Sequence, residues 1–311
     1  MHKILSSYLK RINITFVWAL VFIIIGGIGW QLSSIVLSTM YANAYYFRGN
    51  AYSDLKKYEE AIADYTEAIE LDPKYANAYY FRGYAYKAVG KNEEAIADYT
   101  KAIELDPKDA INYSARGSAY SDLKKYEEAI ADYTKAIELA PKDAINYRAR
   151  GSAYSDLKKY PEAFADYTKA IELDPKYANA YYFRGNAYSD LKKFSEAIAD
   201  YTKAIELAPK DVINYSARGR AYSNSKKYPE AIADYTKAIE LDPKHANNYY
   251  FRGNAYSDFK KVSEAIADYT KAIELDPKDA INYSARGSAY KAVGKNEEAE
   301  ADSAMAKALG K

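Results

Sequence analysis

Cysteine is absent from this chain of 311 residues, and histidine and tryptophan occur only twice each. Without cysteine, the chain has no disulfides, no thiolate metal site, no cysteine nucleophile and no lipid-modified cysteine. The histidines, His2 and His245, are too few to form a cluster, and His245 stands at a repeated position that holds Tyr41 elsewhere. The composition therefore predicts neither a metal site nor a cofactor.

The chain also lacks a large excess of positive or negative charge. The 44 Lys and Arg residues nearly balance the 43 Asp and Glu residues, and no long run of like charge occurs. This pattern argues against nucleic acid as a partner. The sequence has no nucleophile–base pair and no phosphate-binding loop, and its carboxylates fall at repeated surface positions. We therefore expect no catalytic activity.

The region between Arg11 and Arg48 contains no charged residue and has an apolar centre from Phe16 to Trp30. Residues 12–37 are predicted to form a membrane-spanning helix. At about 1.5 Å per residue such a helix extends about 39 Å, which is enough to cross a hydrocarbon core with some tilt. Trp30 would lie at an interface, where tryptophan is enriched.

The charges before this segment predict its orientation. Lys3, Lys10 and Arg11 precede it, so the positive-inside rule makes residues 1–11 a short basic cytoplasmic tail and places the rest of the chain outside the cytoplasm. The basic residues that follow oppose this orientation, but a long folded domain crosses the membrane largely regardless of its charge.

A cleaved signal peptide, giving a secreted protein, is the alternative for the same segment. Its cleavage sites are poor. Ala42-Asn43-Ala44 lies beyond the apolar centre, inside a repeated unit, and Gly27-Ile28-Gly29 fits the expected pattern less well. Length and flanking residues favour a retained signal-anchor.

Internal repetition dominates the rest of the chain, residues 41–311. Eight units of 34 residues follow one another without a linker, and the last lacks one residue. They begin at residues 41, 75, 109, 143, 177, 211, 245 and 279.

Each unit carries the pattern of two helices. In the first unit, one amphipathic helix face holds Tyr45, Gly49 and Tyr52 at spacings of four and three residues, and a second holds Ala61, Tyr65 and Ala68. Pro73 and its copies end the second helix. Gly49 would cost about 1 kcal/mol in a helix interior, so its presence in every unit predicts a steric need for close packing against the second helix.

These residues resemble the tetratricopeptide repeat. The family pattern W-x2-L-G-x2-Y, A-x3-F and P corresponds here to Tyr45-x2-Arg48-Gly49-x2-Tyr52, Ala61-x3-Tyr65 and Pro73. The resemblance covers residues 41–311 and implies an all-α fold, a right-handed α-solenoid of helix-turn-helix units, preceded here by the predicted transmembrane helix.

Two features depart from that pattern. Arginine replaces leucine at Arg48 and in every other unit, and we expect a series of arginines that reach a repeated carboxylate such as Asp64 or Glu70. In the last unit the second helix is polar, with Glu300, Ser303 and Lys307 where the other units are apolar. This change predicts a polar cap at which the array ends.

The first helix of each unit also has a face that varies between units. The resemblance implies that this face lines a concave groove for polypeptides, and tyrosine, asparagine and serine suit that role. A solvated face that was duplicated recently is the alternative. The predicted groove residues are Asn43, Tyr46, Phe47, Asn50, Tyr80, Tyr84, Lys87, Arg148, Tyr182, Asn186, Arg220, Tyr250 and Asn254.

The sequence as a whole predicts a membrane-anchored scaffold or assembly factor that binds a protein or peptide, with a membrane complex as a suitable partner. The alternative is a structural protein of the cell envelope that associates with itself, because near-identical units offer self-complementary surfaces.

Overall fold

The structure is a computed structural model that describes residues 30–310, and these residues form helices joined by short turns, with no strand among them. The helices confirm the predicted all-α solenoid of helix-turn-helix repeats. They are α1 to α16: Trp30–Asp54, Tyr58–Leu71, Ala76–Ala88, Asn92–Leu105, Ala110–Asp122, Tyr126–Leu139, Ala144–Asp156, Tyr160–Leu173, Ala178–Asp190, Phe194–Leu207, Val212–Asn224, Tyr228–Leu241, Ala246–Asp258, Val262–Leu275, Ala280–Ala292 and Asn296–Leu309.

Two compact units divide the chain after Pro141. The first contains the first three repeats as far as they are described, and the second contains the other five. Within each unit, the odd-numbered helix of a repeat packs against the even-numbered helix that follows it. The even-numbered helix packs in turn against the first helix of the next repeat.

Helix α1 differs from the other odd-numbered helices because it already includes Trp30, the first residue that the structure describes, and continues without a break to Asp54. The other odd-numbered helices start after an x-Pro-Lys turn, whereas no proline lies between Trp30 and Asp54. Residues 12–29 of the predicted membrane helix lie outside the described residues, so that helix stays a prediction. Among α1 to α16, no helix has both the length and the apolar character that a bilayer span requires.

The turn inside each repeat requires a left-handed residue. After α1, the N–H of Lys57 donates to the carbonyl of Tyr52 at 2.9 Å, while Lys56 has a φ of 58°. This arrangement is typical of helix C-termini, where glycine is preferred. Gly90 and Gly294 occupy that position in the second and eighth repeats, and the other six repeats have lysine there.

Lys158, with a φ of 59°, offers a direct test of this strain. We expect Lys158→Gly to raise the free energy of unfolding by about 0.5–1 kcal/mol. Relief of a left-handed cost of about 1–2 kcal/mol should exceed the extra freedom that glycine gives the unfolded chain. Hydrogen exchange of the α7 and α8 amides measures the change as a local free energy of opening. Lys159→Gly is the control, because Lys159 has a φ of −84° and should bring no gain.

The interior of each repeat is built from small residues and one tyrosine. Ala61, Tyr65 and Ala68 are completely buried, and a Cβ added to Gly49 would lie 2.7 Å from Cε1 of Tyr65. The steric need inferred for this glycine is therefore confirmed. The partly buried Tyr45 and Tyr52 pack against the same cluster, and Pro73 is exposed in the turn after α2.

The last repeat lacks this central ring. Gly287 faces the carbonyl of Ala299 and the Cβ of Asp302 instead of a tyrosine. Glu300, Ser303 and Lys307 are exposed on α16, in agreement with the polar second helix that the sequence predicts.

Candidate functional site

The repeated arginines pair with buried aspartates; the Arg48 side chain is exposed, whereas the other seven arginine side chains are mostly buried. Nε and Nη2 of Arg82 donate to the two carboxylate oxygens of Asp98 at 2.8 Å each, a bidentate pair of the kind that arginine forms best. The same pairing recurs in every repeat and confirms Asp64 as the partner of Arg48. Glu70, the other predicted partner, is exposed and is not used by Arg48. The pairs are Arg48–Asp64, Arg82–Asp98, Arg116–Asp132, Arg150–Asp166, Arg184–Asp200, Arg218–Asp234, Arg252–Asp268 and Arg286–Asp302.

Each arginine of the series also contacts the preceding repeat where both lie in one unit. Nη1 of Arg82 donates to Oγ1 of Thr66 at 3.1 Å, and the guanidinium lies over the rings of Tyr79 and Tyr86. In the next repeat, the hydrogen bonds to Asp132 raise the pKa of Arg116 above its usual value. Every arginine of the series therefore forms an ion pair within the protein, and the series has a structural role, as the sequence indicated.

The variable face of the odd-numbered helices, which we call the groove stripe, contains the predicted groove residues. Phe47, Tyr84 and Arg220 are exposed. Tyr46 is not: it is only 9% exposed, because its ring packs against Tyr65 and Phe81. The prediction that Tyr46 lies on an open surface is therefore corrected, because its ring lies in the core of the first two repeats. The other predicted groove residues are half-buried: Asn43, Asn50, Tyr80, Lys87, Arg148, Tyr182, Asn186, Tyr250 and Asn254.

The half-buried tyrosines of the groove stripe rest on the core tyrosines. Ring centroids are 5.7 Å apart for Tyr80 and Tyr99 and 6.0 Å apart for Tyr182 and Tyr201. Tyr250 has the same relation to the core tyrosine of its own repeat at 6.1 Å. These tyrosines thus cover the core and present only part of their surface to a ligand.

The amides of the groove stripe are engaged on one side. The hydroxyl of Tyr201 donates to Oδ1 of Asn186 at 2.7 Å, and Asn50 and Asn254 accept the same bond from their own core tyrosines. Burial raises the pKa of the Tyr201 hydroxyl, which keeps it a donor at neutral pH. The amide N–H groups are left for other partners. The periodicity of the sequence did not reveal these bonds, because they join positions 15 residues apart.

The predicted cations of the groove stripe differ sharply in their surroundings. Nζ of Lys87 forms an ion pair with Asp122 at 2.8 Å. Nε of Arg148 donates to the hydroxyl of Tyr177 at 3.1 Å, and its guanidinium lies 5.2 Å from the ring centroid of Phe183. Arg220 forms no hydrogen bond and no ion pair with any residue that the structure describes.

Two hollows adjoin Arg220, and sequence reasoning missed both of them. One, of ≈310 Å³, is lined by serines together with Asp156 and Asp190. The other, of ≈390 Å³, is lined by apolar residues such as Val212 and Phe251 and by polar residues such as Asp242 and Asn248. Partial burial raises the pKa of Asp156, and the nearby carboxylate of Asp190 adds to the rise. The only sequence signal was the arginine that interrupts a position otherwise held by Asn, Ser or Tyr.

Metal chemistry has no support in the described part of the chain. From Trp30 to Gly310, no three His, Cys, Asp or Glu side chains are grouped closely enough to hold an ion. The polar, aromatic and charged groups of the stripe instead form a surface that can bind by hydrogen bonds, ring contacts and ion pairs.

Comparison with solved structures places this fold among known ones. A tetratricopeptide repeat protein from Parabacteroides merdae matches with a TM-score of 0.63 at 22% identity, over 79% of this chain and 97% of that one. The APC/C hetero-tetramer Cut9-Hcn1 matches with a TM-score of 0.58 at 19% identity, over 81% of this chain and 50% of that one. At these identities, the two structures show a common fold.

A third solved structure, described as YrrB, a TPR protein with an unusual peptide-binding site, is 29% identical over 58% of this chain and 92% of that one, with a TM-score of 0.48. No curated protein sequence matches the chain.

Family models match the repeats directly. The model described as Tetratricopeptide repeat matches residues 76–109, 110–143, 178–211, 215–245 and 246–279, which is more than half of the chain. A second model with that description matches residues 268–301, and one described as TPR repeat matches residues 49–90 and 151–192. The chain therefore belongs to the tetratricopeptide repeat family.

Proposed function

We propose that this protein is a membrane-anchored scaffold, or assembly factor, that binds a polypeptide partner along the groove stripe. One observation carries the binding role: the stripe presents exposed aromatic surface, together with amide N–H groups and an Arg220 guanidinium that form no hydrogen bond or ion pair with the described residues. Proteins of this family mediate protein–protein interactions, and Tyr, Asn and Arg are suited to contacts with polypeptide.

The anchoring role rests on residues 12–37. Their length, lack of charge and basic flank support a retained span with a cytoplasmic N-terminus and the repeats outside the cytoplasm. Because residues 30–37 of the predicted span and the start of the first repeat lie in one helix, α1, the first repeat would lie close to the bilayer, which favours partners that are membrane complexes. N-terminal sequencing of the mature protein tests the anchor, and a start after Gly29 would contradict it.

A binding assay with matched variants tests the groove stripe. Tyr84, Tyr182 and Tyr250 are changed together to serine, the residue found at these positions in other repeats, so that the fold is kept. We expect the yield of captured partner from membrane extracts to fall more than about ten-fold, because single aromatic anchors contribute about 1–2 kcal/mol or more to an interface. Quantitative mass spectrometry of the pulled-down proteins provides the measurement.

The control variant carries serine at Lys101, Lys203 and Lys271, which lie on even-numbered helices and form exposed ion pairs there. It should capture the same proteins as the wild type. Equal yields from the wild type and the tyrosine variant would show that the groove stripe does not bind the partner.

A further inference from the structure

Arg220 differs from the other cations of the groove stripe. Its position in the repeat holds Asn50, Asn186 or Asn254 in three other units, so the arginine is a departure within one repeat and not part of the architecture. Lys87 and Arg148 are engaged by neighbouring side chains, whereas Arg220 is exposed and has no ion pair or hydrogen bond with the described residues. An unpaired guanidinium beside two hollows is available to a ligand.

The first hollow, here named the acidic hollow, is lined mainly by Ser152, Ser155, Asp156, Ser189 and Asp190, and Arg220 is also one of its lining residues. Neither aspartate forms an ion pair with another residue of the range 30–310, and each lies at the end of its helix, α7 or α9. The two carboxylates repel each other, and the serines add hydroxyl groups that donate or accept hydrogen bonds. This hollow therefore favours a cationic group.

The second hollow, here named the apolar hollow, is lined by the apolar side chains of Tyr182, Val212, Ile213, Ala217 and Phe251, and also by Arg220 and by polar side chains that include Asp242 and His245. Ile213 is 58% exposed, its counterparts Ile111 and Ile281 are similarly exposed in their repeats, and here it adds apolar surface that a bound side chain would cover. The apolar hollow therefore favours a large apolar side chain. Arg220 lines both hollows, so a bound segment that enters both must pass the guanidinium.

We propose that these groups form a specificity site for one kind of polypeptide segment. A basic side chain of the segment enters the acidic hollow, a carboxylate side chain pairs with Arg220, and a large apolar side chain enters the apolar hollow. Charge complementarity argues for this occupant, because it pairs both unpaired aspartates and the unpaired arginine and covers the exposed aliphatic surface. The inference rests on the proposed binding function and specifies the chemistry of the partner.

A synthetic peptide array tests the site. Its peptides carry one Lys, one Glu and one Leu in every order, separated by up to two serines and flanked by Gly-Ser, and the full-length protein in mild detergent is the analyte. We expect the wild type to select one order, and we expect Arg220→Asn to weaken binding of the best peptide about 10- to 100-fold, because a charge-assisted hydrogen bond is lost. Asparagine is native at this position in three repeats, so the variant should fold.

Two further variants sharpen the result. Lys291→Ser removes an exposed cation that adjoins neither hollow and should leave peptide binding unchanged. Arg220→Glu should lose the selected peptide and regain binding when the glutamate of that peptide is changed to lysine. Fluorescence anisotropy gives the dissociation constants, and circular dichroism verifies the fold of each variant.

The outcomes separate this inference from the broader function. Equal binding by the wild type and Arg220→Asn, or no selection by the wild type, would overturn the specificity site. The pull-down with the tyrosine variant decides the groove function independently. A partner captured equally by the wild type and Arg220→Asn but lost by the tyrosine variant would reject the site and leave the proposed function standing.

Discussion

Replacing Asp200 by alanine is expected to lower the free energy of opening of α9 and α10 by about 3–5 kcal/mol. Asp200 is only 6% exposed, and its loss leaves the guanidinium of Arg184 without its bidentate partner in a site where water has little access. Tandem repeats do not unfold as a single unit, so the quantity to measure is local. Hydrogen exchange of the α9 and α10 amides measures it.

Two variants provide the controls for Asp200→Ala. Glu206→Ala breaks the exposed pair with Lys203 in the same repeat and should have little effect, because solvent screens that pair. Arg184→Leu combined with Asp200→Leu should recover much of the loss, since an apolar pair of suitable size often replaces a buried ion pair without penalty. If Asp200→Ala destabilises no more than Glu206→Ala does, the arginine series is not a structural element.

Tyr99→Ala is the second substitution with a large expected effect. Tyr99 is 1% exposed and fills the space against Gly83, where an added Cβ would lie 2.9 Å from Cε1 of the ring. Removing the ring leaves a cavity between α3 and α4, and large-to-small changes of buried aromatic residues typically cost about 3–5 kcal/mol. Urea unfolding followed by circular dichroism and hydrogen exchange of α3 and α4 measures the loss.

Tyr84→Ala is the matched control, since it removes the same side chain from the same repeat at a position that is 47% exposed. Its effect on stability should be much smaller, because the ring is already largely in contact with water. Comparable losses from the two substitutions would mean that the ring beside Gly83 is not the centre of the repeat core.

Periodicity alone predicted most of the fold, because the spacing of small and aromatic residues is read directly from the sequence. The glycine opposite the core tyrosine and the carboxylate opposite Arg48 follow from which helix faces must meet. The helical residues of α1 that precede Tyr41 could not be predicted from the periodicity. The pattern placed the first repeat at Tyr41, but helix propagation needs no repeat signal, and nothing between Trp30 and Tyr41 interrupts it.

The candidate site was harder to predict from the sequence. Some residues that alternate between repeats pack against the neighbouring repeat, and the same residues could also bind a ligand. Three of the four repeats with tyrosine and phenylalanine at the positions of Tyr46 and Phe47 carry asparagine at the position of Asn50, whereas two of the other four carry serine, alanine and serine. Phe81 lies 6.2 Å from the ring of Tyr65 in the preceding repeat, so the alternation partly reflects packing between neighbours. One sequence cannot separate that packing from ligand binding.

The cations of the groove stripe also show that the sequence alone does not reveal which side chains have partners. Lys87, Arg148 and Arg220 break the alternation equally in the sequence, yet the first two are held by side chains of the following repeat and the third is not. Whether a cation is free depends on the register between repeats. That register is a property of the packed array and is not visible in any single unit.

The unbroken course of α1 has a consequence for how the repeats would be oriented on a membrane. Residues 30–37 of the proposed span and the first helix of the first repeat share one helical axis, so the number of residues between them sets the rotation of the first repeat relative to those residues. Each residue inserted or removed near Thr39 would turn the first repeat by about 100° and shift it by about 1.5 Å along that axis. The direction in which the first repeat faces around the membrane normal would thus depend on the number of residues that precede it in α1, and not on a side-chain contact.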